Sequence, residues 1–249
     1  MPSTESTPPD DRRRPPELDF RLDGFDADEK TSKAFFREIE LIEDYLVPLA
    51  VHHTADGVHS FYVAHDSSAT WDHPGVPQYV ALHLQRDLDS ATFRFEQATL
   101  PLPAMAQSWL IHRGCPPESI ELNLGSGPQP ADEATRALER RLMTDGDHFA
   151  LGYSYTHDYP GDPVIVAALR ALDGRSSPFR VVIEEVDSDA RTYSLREGGF
   201  ATVGEALQWC DDRLRGKAGP LPPVRLATSL VRPTPAPKAP APRPPGRSR

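Results

Sequence analysis

The sequence predicts an α+β fold built from two strand-strand-helix units, preceded by an amphipathic helix and a hairpin. Three observations predict it. Between residues 19 and 216, apolar residues switch between a spacing near 3.6 and an alternation of 2. Turn and capping residues punctuate those stretches. The last unit also echoes an earlier one at an offset of 100: Asp87 with Asp187, Asp89 with Asp189, Thr92 with Thr192, Ala106 with Ala206, Trp109 with Trp209 and Arg113 with Arg213. Duplication of one ancestral unit would give halves at 48–114 and 149–216. Shared composition between any two such units is the competing explanation.

The first element is a helix over about residues 27–47, with Phe35, Ile39, Ile42 and Leu46 on one face, Asp26 and Glu29 as a capping pair and Pro48 as its stop. Asp56-Gly57 then marks a hairpin that sets His53 opposite Ser60 and His52 opposite Phe61. Strands follow at 79–85 and 91–97. A helix after Pro103 ends at Gly114, SIELNL (119–124) alternates as a strand, and ADEATRALERRLM (131–143) is a helix. FALGYSYTH (149–157) is a strand. PVIVAALRAL (163–172), bracketed by Asp162 and Gly174, predicts a largely buried helix. FRVVIEEV (179–186) and RTYSLRE (191–197) are strands. Thr202 and Glu205 form a capping box for a last helix, whose inner face is Val203, Leu207, Cys210 and Leu214.

The ends do not belong to this body. Residues 1–18 hold proline, charge and hydroxyls, and residues 217–249 hold ten of the 27 prolines and no acid. Such segments cannot offset their ordering entropy by burial, so both are expected to be disordered. The tail's seven Lys and Arg residues leave −17 on residues 1–216 within a chain of −10 overall. An acidic body repels nucleic acid and anionic membranes, so a weak polyanion contact falls to Lys217–Arg249 if anywhere. A solvated linker is the plainer reading of that tail. Arg outnumbers Lys 23 to 4 and Asn occurs once, which fits GC-rich coding and weakens any case for arginine-specific recognition.

Two cysteines are too few for a disulfide framework or zinc ribbon, and no apolar run reaches 18 residues. A cytoplasmic location, no membrane and no cofactor are the expectations.

Five of the nine histidines lie within residues 52–73. A metal centre needs three or four ligands converging at about 2.0–2.3 Å. His52 and His59 share a face and make the candidate metal pair, but His53 points away and His65 sits roughly 20 Å along the strand from His59. The expectation is therefore a half-exposed hairpin carrying imidazoles. Gly125-Ser126-Gly127, after a strand, resembles the glycine loop of Rossmann-type methyltransferases. Pro128 and Pro130 depart from that pattern, and the elements that follow do not alternate as βα units. Tyr153, Tyr155, His157 and Tyr159 form a polar-aromatic candidate binding surface, with Trp109 and Trp209 as anchors; packing beneath a helix is the alternative. There is no GxSxG, and Cys115 follows a helix C-terminus, where the dipole disfavours a thiolate. No catalytic residue emerges. The best reading is a non-catalytic interaction or regulatory protein with a protein partner; a metal-assisted hydrolase or lyase using the His52–His73 region is the alternative.

Overall fold

The hairpin closes at Asp56-Gly57 with Gly57 alone at positive φ (+73°), not both central residues as a type I′ turn needs, and with the Asp56 carboxylate accepting from the Val58 N–H. Strand β1 (Leu46–His53) and strand β2 (His59–Asp66) pair antiparallel with His52 opposite Phe61 and His53 opposite Ser60. Strands β3 (Tyr79–Asp87) and β4 (Thr92–Leu100) complete a four-stranded meander in the order β1-β2-β3-β4. The computed structural model describes residues 18–70, 75–123, 127–144, 149–157, 164–171 and 177–225.

A second sheet contains β6 (Phe149–His157), β7 (Val164–Ala171), β8 (Phe179–Asp187) and β9 (Thr192–Phe200), also as a meander. The two-residue β5 (Gln129–Pro130) runs parallel to β9 at its edge. One helix precedes each meander and one follows it: α1 (Glu29–Glu38) and α2 (Pro103–Ile111) with the first, α3 (Glu133–Thr144) and α4 (Val203–Leu214) with the second. The turns match closely. Asp87 pairs with Thr92 and Asp187 with Thr192, and Ala91 and Arg191 both adopt left-handed backbone.

Packing follows from alternation. In the first sheet, Tyr62, Ala64, Val80 and Leu82 face α1 through Phe35 and Ile39, while Phe61, Val63 and Ala81 face α2 through Ala106 and Leu110. In the second, Ile165, Ala167 and Leu169 face α3, and Val166 and Ala168 face α4. Helices α2 and α3 pack on each other between the sheets, so Leu102 and Met105 join Leu138 and Leu142 in one core. That middle position explains why α2 is buried nearly all round.

Five expectations need correction. The helix over 27–47 ends at Glu38, is capped by Asp28 rather than Asp26, and passes through a 3-10 segment (Glu40–Tyr45) into β1, which contains Pro48. Asp26 instead bridges to Thr92. PVIVAALRAL is strand β7, since both its faces are buried and its alternation is invisible; Asp162, Pro163, Leu172 and Gly174 lie outside the described residues. Residues 119–123 of SIELNL are no strand: Pro117–Ser119 is 3-10, and the chain then runs beneath α2 with Ile120 fully buried, while Leu124 lies outside the described residues. On α4 only Cys210 of the expected inner face is buried, together with Ala206; Val203, Leu207 and Leu214 are exposed. Finally, residues 217–225, assigned to the tail, lie against the second unit. The Trp209 indole donates to the Gly219 carbonyl at 3.1 Å and the Gly199 N–H to that of Pro222 at 2.9 Å. The rest of the tail, residues 226–249, and residues 1–17 lie outside the described residues, so the expected disorder of the ends concerns mostly positions that are not described.

Candidate functional site

Strand register gathers the polar aromatic groups of the first sheet into one row. His52 opposes Phe61, Phe61 opposes His83, and His83 opposes Glu96, so these four side chains cross β1 to β4 on the α2 face. The rings stack: Phe61 and His83 lie 4.6 Å apart between centroids at 5°, and His52 lies 6.1 Å from Phe61. His59, two residues before Phe61 on the same face, places its Nδ1 3.0 Å from Nε2 of His83. One ring donates an N–H to the other. Burial holds His83 down at about 4, aided by the neighbouring His59, so this imidazole is neutral at physiological pH.

The C-terminal end of α2 borders this row. Arg113 lies over the Trp109 ring, its guanidinium carbon 3.4 Å from the centroid, and its Nε donates to Glu96 at 2.9 Å. Glu96 thus links the helix to the imidazole row. Trp109, Arg113, His52 and His59 are only partly buried, whereas Phe61 and His83 at the centre of the row are buried beneath α2.

His53 points to the opposite face, where its Nδ1 lies 2.7 Å from Ser60 Oγ. This is not a nucleophile and base. Ser60 is fully buried, and Arg86 donates to its hydroxyl at 2.9 Å and to the Arg21 carbonyl at 2.9 Å, tying the segment before α1 to the sheet. Burial, then the Arg21 charge, lowers the His53 pKa. Both thiols are raised by burial, Cys115 to about 12 and Cys210 to about 11, so neither is a thiolate.

The chain matches no family model, no curated protein and no solved structure.

Of the sequence-predicted residues, His52 and His59 share the row, but His59 meets His83 rather than His52. Among the described residues no group of three or more His, Cys, Asp or Glu side chains could hold a metal ion. Tyr153 and Tyr155 lie on the α4 face of β6, half-buried; Tyr155 rests against Gly75, where a Cβ would come within 2.7 Å of its ring. His157 is exposed at the strand end, and Tyr159 lies outside the described residues, as do Gly125 and Ser126 of the glycine loop. Trp109 belongs to the row's border, whereas Trp209 holds Gly219. Those aromatics therefore do not form one surface. His83, Glu96 and Arg113 were not legible in advance, because Ser67–Gln78 separates the second and third strands and hides their register.

A second polar cluster sits where the units meet. Tyr193 donates to Glu139, and Glu184 lies buried nearby, its carboxyl pushed up to about 7 by burial and by the Glu139 charge. Burial, then Glu139, raises the Tyr193 phenol; burial, then Glu184, raises that of Tyr79. The Asp132 carboxylate is held at about 2 by hydrogen bonds from Thr135 and Arg196 at the start of α3. No helix among the described residues is long and apolar enough to cross a membrane.

Proposed function

We propose that this chain is a non-catalytic interaction or regulatory protein, located in the cytoplasm, that captures a protein partner on the imidazole-aromatic face of its first sheet. The observation that carries this is Trp109 stacked under Arg113 beside His59 and His83, with tryptophan and arginine the residue types that dominate protein interfaces. The basic segment Lys217–Arg249 adds a second, weaker contact by attraction. Pull-down with the full chain as bait tests it. Trp109→Ala should weaken capture by about tenfold or more, and deleting residues 226–249 should weaken it at low salt only. Unchanged capture by both variants would remove this reading. A weak contact of the tail with a polyanion is the lesser use of the same charges, read by a mobility shift that vanishes as salt rises.

The two-unit architecture is best read as duplication of a helix-meander-helix unit. Its support is the offset of 100 shared by the β3–β4 and β8–β9 registers and the left-handed residues at 91 and 191. Both leading helices also open on Asp-Glu-x-Thr, with Asp28 capping Thr31 and Asp132 capping Thr135.

The competing function is a metal-assisted hydrolase or lyase, and the 3.0 Å approach of His59 to His83 is what favours it. It needs His52 or a carboxylate as a further ligand. Elemental analysis of the purified chain decides: stoichiometric zinc, iron or manganese lost on His59→Ala would support it.

A further inference from the structure

The repeated unit leaves two helix faces, one at each end of the molecule, without the covering that their counterparts have. On α2, Ala104, Met105, Gln107 and Ser108 are all buried. Helix α3 and the segment that follows α2 cover them; Gln107 Nε2 donates to the Ile120 carbonyl at 2.8 Å. On α4 the positions 100 residues later, Gly204, Glu205, Leu207 and Gln208, are exposed. As far as Arg225, the chain after α4 turns the other way, towards Gly199 and Ser177, and among the described residues no element covers this side. Leu207 and Leu214 are 40% exposed and Val203 51%, an apolar row on a helix that the sheet otherwise anchors through Ala206 and Cys210.

At the other end, α1 occupies the place that α3 has in the second unit. Leu138 and Leu142 of α3 share a core with α2, but α1 has no helix outside it among the described residues, and Phe36 is 53% and Leu41 57% exposed beside it. A row of aliphatics on one terminal helix and an unpartnered phenylalanine on the other are costly to leave in water. Residues 29–45, which carry both Phe36 and Leu41, sum to −2, as does α4, so apolar burial rather than charge would hold the two faces together.

We propose that α4 of one chain packs against α1 of a second copy, repeating between molecules the contact that α2 and α3 make within one. The inference rests on the duplication reading, but not on partner capture at Trp109, which uses another face. Because the two faces differ, the contact is heterologous: it does not close at two copies, and it builds an open chain or a ring.

Sedimentation velocity of the full chain, from micromolar to near-millimolar concentration, tests this. The average mass should rise with concentration beyond that of a dimer. Phe36→Ser and Leu207→Ser should each weaken self-affinity by about tenfold or more. An equimolar mixture of the two variants should form a heterodimer and stop there, since each supplies the face that the other lacks. Leu41→Ser with Val203→Ser gives a second pair to be read in the same way, and unchanged thermal midpoints show that the variants fold. Leu88→Ser, equally exposed on the β3–β4 turn, and Trp109→Ala should leave association intact. A wild type that stays monomeric throughout, variants that associate like wild type, or a mixture without rescue would each overturn the proposal; loss in both variants without rescue would mark a symmetric dimer or an outside partner on these faces.

Discussion

Glu184 is a carboxyl group on the central strand β8, 8% exposed and flanked across the sheet by Ile165 and Leu195. Its pKa rises from an ordinary 4.5 to about 7, so the unfolded chain releases this proton first as pH rises. Stability on this account is greatest below pH 4.5, falls between 4.5 and 7, and then levels off. At about 1.4 kcal/mol per unit, the loss is on the order of 3 kcal/mol. Glu184→Gln should therefore be more stable than wild type above pH 7, with the gap closing towards pH 4.5 in urea midpoints measured across that range. His83 acts in the opposite sense. It is held near 4, below its ordinary 6.5, so stability falls as pH drops from 6.5 towards 4. His83→Asn should flatten that acid limb whatever it costs in packing, and an unchanged limb would show that His83 is not its source.

At the scale of the element, burial on both faces decides strand β7. Ala167 and Ala168, good helix formers, sit in strand geometry because Ile165, Ala167 and Leu169 meet α3 while Val166 and Ala168 meet α4. Ala167 is fully buried, and Ala167→Leu should cost about 1–3 kcal/mol by overpacking, read from the thermal midpoint. The neighbouring strands carry a buried ion cluster. Glu197, opposite Val182, meets Arg141 and lies 3.1 Å from the fully buried Arg180. Glu197→Ala strips both guanidinium groups of this carboxylate and should cost about 3–5 kcal/mol, measured by denaturant unfolding. The reciprocal Thr202–Glu205 cap of α4 is a smaller matter: Thr202→Ala should cost about 1 kcal/mol.

Across the whole molecule, the shared core of Leu102, Met105, Leu138 and Leu142 ties the two units together through α2 and α3. Unfolding should accordingly be cooperative. Variants retaining a single tryptophan at 109 or at 209 report on separate units and should give coincident denaturation midpoints; separated midpoints would show that the middle layer does not couple them. Leu102→Ala, at a site 1% exposed, should lower both midpoints together.

Much of this was legible in advance wherever a signal is local. The Asp56-Gly57 register, the Thr202–Glu205 box and the strands after 79 and 179 each depend on a few adjacent residues with fixed backbone preferences. Signals failed where burial surrounds an element or where the chain turns back after a loop. A strand covered on both sides loses its alternation, which is why β7 read as a helix. The α4 surface read as an inner face because apolar spacing alone does not say whether a neighbour is there.

By itself the sequence determined the α+β class, the hairpin register, the Thr202–Glu205 cap and the recurrence at 100 residues, since turns, caps and periodicity are properties of short stretches. Only the tertiary structure decided that His59 meets His83, that Glu184 is buried between the units, and that α2 is enclosed while Val203, Leu207 and Leu214 on α4 are exposed. Those facts depend on how distant strands and helices come together, and no local pattern carries that information.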